Sequence, residues 1–523
     1  DQGARGVVEV RPPAEGGLKM KIVSSEAMAL IDRRAQDEFA IPSTLLMEDA
    51  GACAWSLLAE RIGTSRVREE RVVFVAGKGN NGGDALVMAR RALCQGVLAV
   101  SIVLADGRPS PGGTPAQMLA ICEAYGIECL LWPAEQEQIA DRLNLATWIV
   151  DGIAGTGLRG GLRAPLSDLV AAMNTSPGNK AGIDVPSGIS DLYDPAWPAV
   201  HCDLTLTMGL PKTCLYLPNT RALCGKVLVV PVGFPPSLVD DPLIPGNMLP
   251  CKAWKSLRRP IPVDTHKGKR GHLAVFAGSP GTTGAAWLSA SAAARSRVGL
   301  VSLHVGRDVY SILAEKASSV MVKPWDVPHA PDWAGVDLGL YSGVLVGPGW
   351  GTAEDRELWL EHLICGESSG VIDADAITLL SRIAARSLIR LGDRWVITPH
   401  PGEFVRMSGV ARDEVLREPI RHACELALRL EAVVVLKGPC TIVASSTGKY
   451  WINDGPNPAL ATGGSGDVLA GIIAASMAGG LSPLDAALFG VSLHATVGRK
   501  AWRRKGWFLA EDMVPLISTT LAS

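Results

Sequence analysis

A chain of 523 residues is too long for one hydrophobic core, so two or more domains are expected. Its 47% hydrophobic and 20% charged residues are ordinary for a soluble globular protein, and a net charge of −2 gives no general pull towards nucleic acid or an anionic membrane. No apolar run reaches the roughly 18 residues of a transmembrane helix, and eleven cysteines scattered singly from Cys53 to Cys440, with no CxxC pair, argue against a zinc knuckle or a disulfide framework and for a reducing cytoplasm.

Residues 1–19 lack the apolar core of a secretory signal and read as a tail, with Met20 as a natural start. Residues 24–39 then predict an amphipathic helix, and 43–62 a second one capped by Ser43. RVVFVAG (71–77) is a short apolar strand ending in glycine; 83–95 predicts a helix, 97–105 a strand and 114–125 a helix. TWIVDGIAGTGL (147–158) and AGIDVPSG (181–188) are strands feeding loops, and DLTLTMG and GKVLVVPVG are later strands. Strand alternating with helix predicts a parallel sheet covered on both faces, a doubly wound Rossmann-like α/β domain over residues 20–235. The proline-rich, aperiodic run 234–265 holds the expected linker, set at 236–254. After it GHLAVFAG, VSLHVG, SGVLVGPG, SGVIDAD, RWVITPH and AVVVLKG are again apolar strands ending in small residues, a second doubly wound domain over 255–521. Its last strong helix, DVLAGIIAASMAGG, is apolar nearly all round and is expected to be buried.

Gly77-Lys78-Gly79-Asn80-Asn81-Gly82 fits GxGxxG between a strand and a helix. Glycines there let the backbone approach a pyrophosphate, and the helix N-terminus attracts the anion. Asp106 follows the next strand, roughly where a ribose-binding acid sits in a dinucleotide fold. A tight strand-to-helix turn is the competing explanation. Asp84, Asp151 and Asp184 all fall at the carboxyl ends of strands, with Asn80, Asn81 and Ser187 beside them. Such a set of hard oxygens suits a cation or general acid/base chemistry, although a lone Asp more commonly caps a helix or turn.

LLMEDAG, GKGNNGGD, DGIAGTGL and DVPSG, in this order between Leu45 and about Gly233, resemble the NAD(P)H-hydrate epimerases. The resemblance implies that Asn80, Asn81, Gly82, Gly83 and Asp84, with the loop Gly155, Thr156, Gly157, Leu158, Arg159, Gly160 and Gly161, cradle a hydrated dinucleotide. It also implies that Asn81, Asp151 and Ser187 hold a potassium ion and that Asp184 faces the reacting ring as a catalytic group. The chain departs from the family at Ala85, where glycine is usual, and at Ala154, where an aromatic residue is usual. Neither change removes a polar group.

In the second domain, the loop ATGGSGDVLAG (461–471) precedes the apolar helix. Backbone N–H groups of Gly463 to Gly466 at a helix start suit the charge developing on a transferring phosphoryl group, and Asp467 can act as base for a substrate hydroxyl. Glycines for helix packing, with Asp467 as a cap, are the structural alternative; equally, His400 could be a satisfied core histidine and Lys437 plain surface charge. GxGD before an apolar helix is a signature of ribokinase-like kinases. With THKGKRG, GSPGTTGAA, VGPGWG, DADA, TPHPGEF and LKGPCTIV, the region from about 255 to 520 closely resembles the NAD(P)H-hydrate dehydratases, which are ribokinase relatives. The resemblance implies that Lys437, Gly438, Pro439, Cys440, Thr441 and Gly466 hold ADP. It further implies that Ala285, Gly349, Gly351, His400 and the catalytic Asp467 meet the hydrate. Ser465 stands where threonine is common and keeps the hydroxyl; Gly464 is a tolerable variant.

The two resemblances imply one chemical sequence. Water added across the nicotinamide ring leaves a poor leaving group at C6, in two epimers. Phosphorylating that hydroxyl lets the ring nitrogen expel phosphate. The expected protein epimerises the R and S forms of NADHX and NADPHX and dehydrates the S form to NADH or NADPH with ADP, releasing AMP and phosphate. Potassium in the first domain and Mg²⁺ with the nucleotide are expected cofactors, and the resemblance implies a homo-oligomer. The alternatives are a hydroxymethylpyrimidine- or thiazole-type kinase fused to a dinucleotide-binding domain, and a non-catalytic scaffold, which should have lost the polar cluster. A dehydrogenase reading of Gly77 to Gly82 is weaker, since no hydride-acceptor site is apparent.

Overall fold

The computed structural model describes residues 20–325 and 336–523; the tail 1–19 lies outside the described residues. The chain forms two compact units, one of residues 20–246 with 416–418, the other of 247–415 with 419–523. No helix among the described residues is long and apolar enough to cross a membrane.

The first unit is built on seven strands: β1 (Arg71–Ala76), β2 (Ala99–Leu104), β3 (Glu128–Leu131), β4 (Trp148–Gly152), β5 (Asn179–Ile183), β6 (Leu204–Met208) and β7 (Lys226–Val230). They pair throughout in parallel, in the order β3-β2-β1-β4-β5-β6-β7. The alternation along β1 shows why the run is continuously apolar. Val72, Phe74 and Ala76 pack with the helices Ser43–Ile62 and Asn80–Cys94, while Val73 and Val75 pack on the opposite face with Gln136–Leu145 and Leu166–Thr175. β1 lies between β2 and β4, so the connections diverge there, and a crevice opens at the carboxyl ends of the two strands.

Two local expectations change. Ser43 does not cap the second helix: it lies inside the first turn after Pro42 and shares a 2.8 Å hydrogen bond with the hydroxyl of Thr114. The helix expected from residue 83 begins at Asn80, so the glycine-rich stretch is itself the first turn. Glycine is a poor helix former, but here tertiary packing decides. A Cβ on Gly82 would lie 1.9 Å from the carbonyl oxygen of Gly77.

The second unit carries a ten-stranded sheet. Its strands are β8 (Gly246–Met248), β9 (His272–Phe276), β10 (Leu300–Val305), β11 (Met321–Pro324), β12 (Gly343–Val346), β13 (Gly370–Ile372), β14 (Trp395–Ile397), β15 (Val433–Leu436), β16 (Cys440–Ala444) and β17 (Tyr450–Asp454). The order is β11-β10-β9-β12-β13-β14-β15-β16-β17-β8. β9 to β15 are parallel and β15, β16 and β17 form an antiparallel ribbon. Again the order turns beside the first strand, between β9 and β12. The helix Ser465–Ala478 is buried without a break from Val468 to Ala478, as its all-round apolarity predicts. It packs closely on the helix Thr283–Ala294: a Cβ on Gly471 would lie 2.2 Å from the carbonyl oxygen of Ser289. The stretch 236–254, read from sequence as a linker, carries a short helix (Pro236–Val239), β8 at the sheet's end, and the buried Trp254.

Two candidate active sites

In the first unit a cavity of about 530 Å³ opens over the carboxyl ends of β1, β4 and β5. Of the residues singled out from sequence, Asn80, Asn81, Asp84, Gly155, Thr156, Gly157, Leu158 and Asp184 line it. Gly82 and Gly83 instead pack the helix start, against Gly77 and Met47 respectively. Arg159, Gly160 and Gly161 do not line it; Arg159 is exposed and Gly161 abuts Trp197. Asp106 is exposed and likewise outside the lining.

Asp151 and Ser187 lie together beneath this loop. Both are fully buried, and the Ser187 hydroxyl and backbone N–H donate to the two Asp151 oxygens at 2.6 and 2.7 Å. Burial pushes the Asp151 carboxyl up to about 6, against the lowering effect of the Ser187 and Ile153 hydrogen bonds. Asn81 is buried too, and its side-chain nitrogen has no hydrogen-bond partner. Asp184 follows β5 with φ +64°, a left-handed conformation that a non-glycine residue adopts at a cost.

Two further charged groups line the cavity and were not singled out from sequence. Lys212 is fully buried, with Nζ 2.5 Å from Asp184 Oδ1 and 2.5 Å from the Met208 carbonyl. Asp32, from the helix Ser25–Phe39, faces the same space. Burial, then the charges of Asp184 and Asp32, hold the Asp84 carboxyl well above the usual carboxylate range, with Lys212 opposing. Asp32 is raised as well, by burial and by Asp184, against a hydrogen bond from Gln36 and the charge of Lys212.

In the second unit a cavity of about 650 Å³ is lined by His400, Lys437, Gly438, Pro439, Thr441 and Gly466, with Ser465 and His494. Cys440 sits in the same turn but is buried, its thiol towards Asp454. The helix Ser465–Ala478 starts after Gly464, whose φ is +92° and whose Cβ, if present, would lie 2.5 Å from Leu288. No side chain caps this helix, so its first N–H groups face the cavity end open to an anion. The Lys437 ammonium lies 3.3 Å from where a Gly466 Cβ would stand. Lys437 donates to Asp373 at 3.0 Å and has Glu403 at 3.9 Å. Burial alone would lower it, but these two carboxylates outweigh burial and raise it.

Asp467 occupies the helix's first turn. Its carboxyl is pushed up to about 7, chiefly by burial and then by Asp373, with Lys437 opposing. His400 is not a core histidine. It is half-exposed and caps the helix Pro401–Ser408, its Nδ1 accepting from the N–H groups of Gly402 at 3.0 Å and Glu403 at 3.4 Å. Nδ1 as acceptor leaves the proton on Nε2, which lies 3.3 Å from Glu403. Gly349 and Gly351 form the loop after β12: the Gly349 carbonyl accepts from Ser279 and Thr282, and the Gly351 N–H donates to Asp375 at 2.7 Å. Ala285 lies in the first turn of the helix Thr283–Ala294, the helix that brings Leu288 against Gly464. Half-buried His494, which sequence reading missed, meets the Ser465 carbonyl at 3.0 Å and is pushed down to about 4, chiefly by desolvation.

These features define an enzyme of two doubly wound units, each with a cavity lined by residues that follow its parallel strands and an uncapped helix N-terminus facing it. Residues 273–519 match the family model described as NAD(P)H-hydrate dehydratase, and residues 43–214 match that of the YjeF-related protein N-terminus. The bifunctional NAD(P)H-hydrate repair enzyme of Moorella thermoacetica is 34% identical over 520 residues, 96% of this chain and 97% of that protein. The enzyme of the same name from Coxiella burnetii is 33% identical over 476 residues, 90% of this chain and 93% of that one. Among solved structures, the ADP/ATP-dependent NAD(P)H-hydrate dehydratase of Bacillus subtilis, co-crystallised with ATP/Mg²⁺, is 26% identical. It covers 52% of this chain and 98% of its own, with a TM-score of 0.46. The chain belongs to the bifunctional NAD(P)H-hydrate repair enzymes.

Proposed function

We propose that the first cavity is the epimerase centre and the second the dehydratase centre of a nicotinamide-nucleotide repair enzyme acting on NADHX and NADPHX. The observation that carries the second assignment is Asp467: a carboxyl pushed up to about 7, in the first turn of an uncapped helix and opposed by the charge of the half-buried Lys437. Near neutral pH it can take the proton of the C6 hydroxyl as that oxygen attacks a terminal phosphoryl group. The N–H groups at the start of Ser465–Ala478 and the Lys437 ammonium neutralise the charge that develops. Lys437, Gly438, Pro439, Thr441 and Gly466 hold the nucleotide, ADP in this reading, with Cys440 supporting the turn. Gly349, Gly351, Ala285 and His400 meet the hydrate.

In the first cavity, Asn80, Asn81 and Asp84 and the Gly155–Leu158 loop receive the dinucleotide, with Gly82 and Gly83 letting the helix start pack closely, and Asp184 faces its C6. The donor set Asn81, Asp151 and Ser187 fits a potassium ion. A buried carboxylate without a cationic partner and a buried amide without a hydrogen-bond partner gain most from a weakly hydrated monovalent cation. In the second cavity Mg²⁺ would accompany the nucleotide phosphates and supply charge neutralisation there, with the carboxylates beside Lys437, Asp373 and Glu403, as candidate hard donors. Assembly as a homo-oligomer and action in the cytoplasm belong to the same reading.

The test mixes the protein with both epimers of NADHX, K⁺, Mg²⁺ and ADP or ATP and follows NADH absorbance. Recovery of both epimers is expected with ADP, and epimer exchange should slow when Na⁺ replaces K⁺. A stable phosphorylated product without restored NADH would favour a small-molecule kinase and sink the repair reading.

A further inference from the structure

The epimerase reading gives Asp184 its role but does not say what aims its carboxylate. We infer that Lys212 is the positioning residue of that centre, anchoring one Asp184 oxygen so that the other faces the substrate. The inference rests on the epimerase reading of the first cavity.

The geometry divides the two Asp184 oxygens. Oδ1 receives Lys212 Nζ at 2.5 Å and the Met208 N–H at 3.1 Å. Oδ2 has no hydrogen-bond partner among the described residues, and points to the loop expected to hold the dinucleotide: it lies 3.5 Å from where a Gly155 Cβ would stand. The lysine is itself fixed from both sides of its backbone. The Val23 N–H donates to the Pro211 carbonyl at 3.1 Å, and the Thr213 N–H to the Val23 carbonyl at 2.8 Å. Its ammonium is held again by the Met208 carbonyl.

Electrostatics make this lysine more than a strut. Among the described residues lining the cavity it is the sole cation, and it faces three carboxyls: Asp32 from the first helix, Asp84 from the helix after β1, and Asp184 after β5. Asp32 and Asp84 are both held up by burial and by the charge of Asp184, and in both the lysine is an opposing charge. Without that cation Asp32 and Asp84 would be held higher still, and Asp184 would lose the anchor on Oδ1 that turns Oδ2 to the loop. Burying an ammonium this completely is costly unless it is paired.

The test measures epimerisation of (R)-NADHX by the whole chain, coupled to its own ADP-dependent dehydration of the S epimer. Lys212→Met is expected to lower the epimerisation kcat about 100-fold or more while KM moves about threefold or less, because the lysine touches Asp184 and not the substrate. Double mutation decides between aiming and mere support. If Lys212 acts through Asp184, Lys212→Met/Asp184→Asn will be no slower than Asp184→Asn alone. Multiplying losses, or a Lys212→Met enzyme within about threefold of wild type while Asp184→Asn is inactive, would overturn the inference. Should Lys212→Met unfold the first unit, Lys212→Ala with added ethylammonium is decisive: restored epimerisation supports the inference and no restoration refutes it. A wild-type chain that does not interconvert the epimers would instead refute the epimerase reading itself.

Discussion

Asp467→Asn separates a catalytic base from a helix cap, because the two roles predict opposite changes in stability. As a base, Asp467 loses about 10²- to 10⁴-fold in dehydration when its proton-accepting oxygen becomes an amide, about 3–5 kcal/mol of barrier. The stability change follows from its raised pKa. Its ordinary value is 3.8 and the folded chain holds it at about 7. Between these pH values the native state binds a proton that the unfolded chain has released, so stability falls as pH rises and the full penalty applies above about 7. Three units at 1.36 kcal/mol each give about 4 kcal/mol as an upper figure. An acid in the first turn of a helix returns about 0.3–1 kcal/mol through the dipole, and some solvent reaches the group. A net gain of about 1–3 kcal/mol is expected for Asp467→Asn at pH 8, vanishing near pH 4. The assay is thermal unfolding of the nucleotide-free protein at both pH values, following the transition that ADP and Mg²⁺ shift upward, together with NADH recovery from (S)-NADHX. Loss of activity with a lower Tm at pH 8 would falsify the base assignment and leave Asp467 as a structural cap.

Three more outcomes follow from the same geometry. Asp184→Asn should leave dehydration of the S epimer unchanged while the R epimer persists at the end point, read by chromatography before spontaneous exchange conceals it. Because a base must be ionised, dehydratase kcat should rise about tenfold per pH unit below about 7 and level off above it, as a stopped-time NADH assay across pH 5.5–9 would show; a flat profile contradicts the Asp467 value. Gly466→Val should raise the KM for ADP about tenfold or more, since even its Cβ would stand 3.3 Å from the Lys437 ammonium, with (S)-NADHX binding little changed by titration.

How much of this was legible in the sequence varies with the range of the signal. Asp467, Lys437 and the GKGNNGGD turn sit at the ends of short apolar runs, where sequence neighbours are also spatial neighbours. Lys212 and Asp32 carry no such signal. Asp32 lies in SEAMALIDRRAQDEF, where it reads as one of several charges on a solvated face, and only the packing of that helix over the cavity gives it a role. Lys212 does leave one trace: it is the single charge in LTLTMGLPKTCLYL, an apolar run in which a lysine is expensive unless paired. β3 was missed because its four residues, exposed at both ends and buried only at Leu130, are too few to show a period. The helix after β1 was started three residues late because propensity counts glycine against a helix, whereas the close approach of Gly82 to Gly77 requires it.

The two sites solve one electrostatic problem in opposite ways. Each places several carboxyls around a lysine, fully buried in the first and half-buried in the second. In the first cavity the ammonium is bonded to the proposed catalytic acid itself, while the neighbours Asp84 and Asp32 are pushed up. In the second the ammonium is bonded to Asp373, and the proposed base Asp467 is left without an ion-pair partner, pushed to about 7. The difference suits the chemistry. Reversible opening of the C6 centre needs an acceptor that takes the hydroxyl proton and returns it to the same substrate. Phosphoryl transfer needs an acceptor strong enough to hold a hydroxyl proton while the lysine beside it remains free for phosphate. Moving the lysine's bond from one carboxylate to the next is what separates the two functions, and it predicts that Asp373→Asn, by releasing Lys437 towards Asp467, will shift the acid limb of dehydration to lower pH and lower the maximal rate, as the same NADH assay would record.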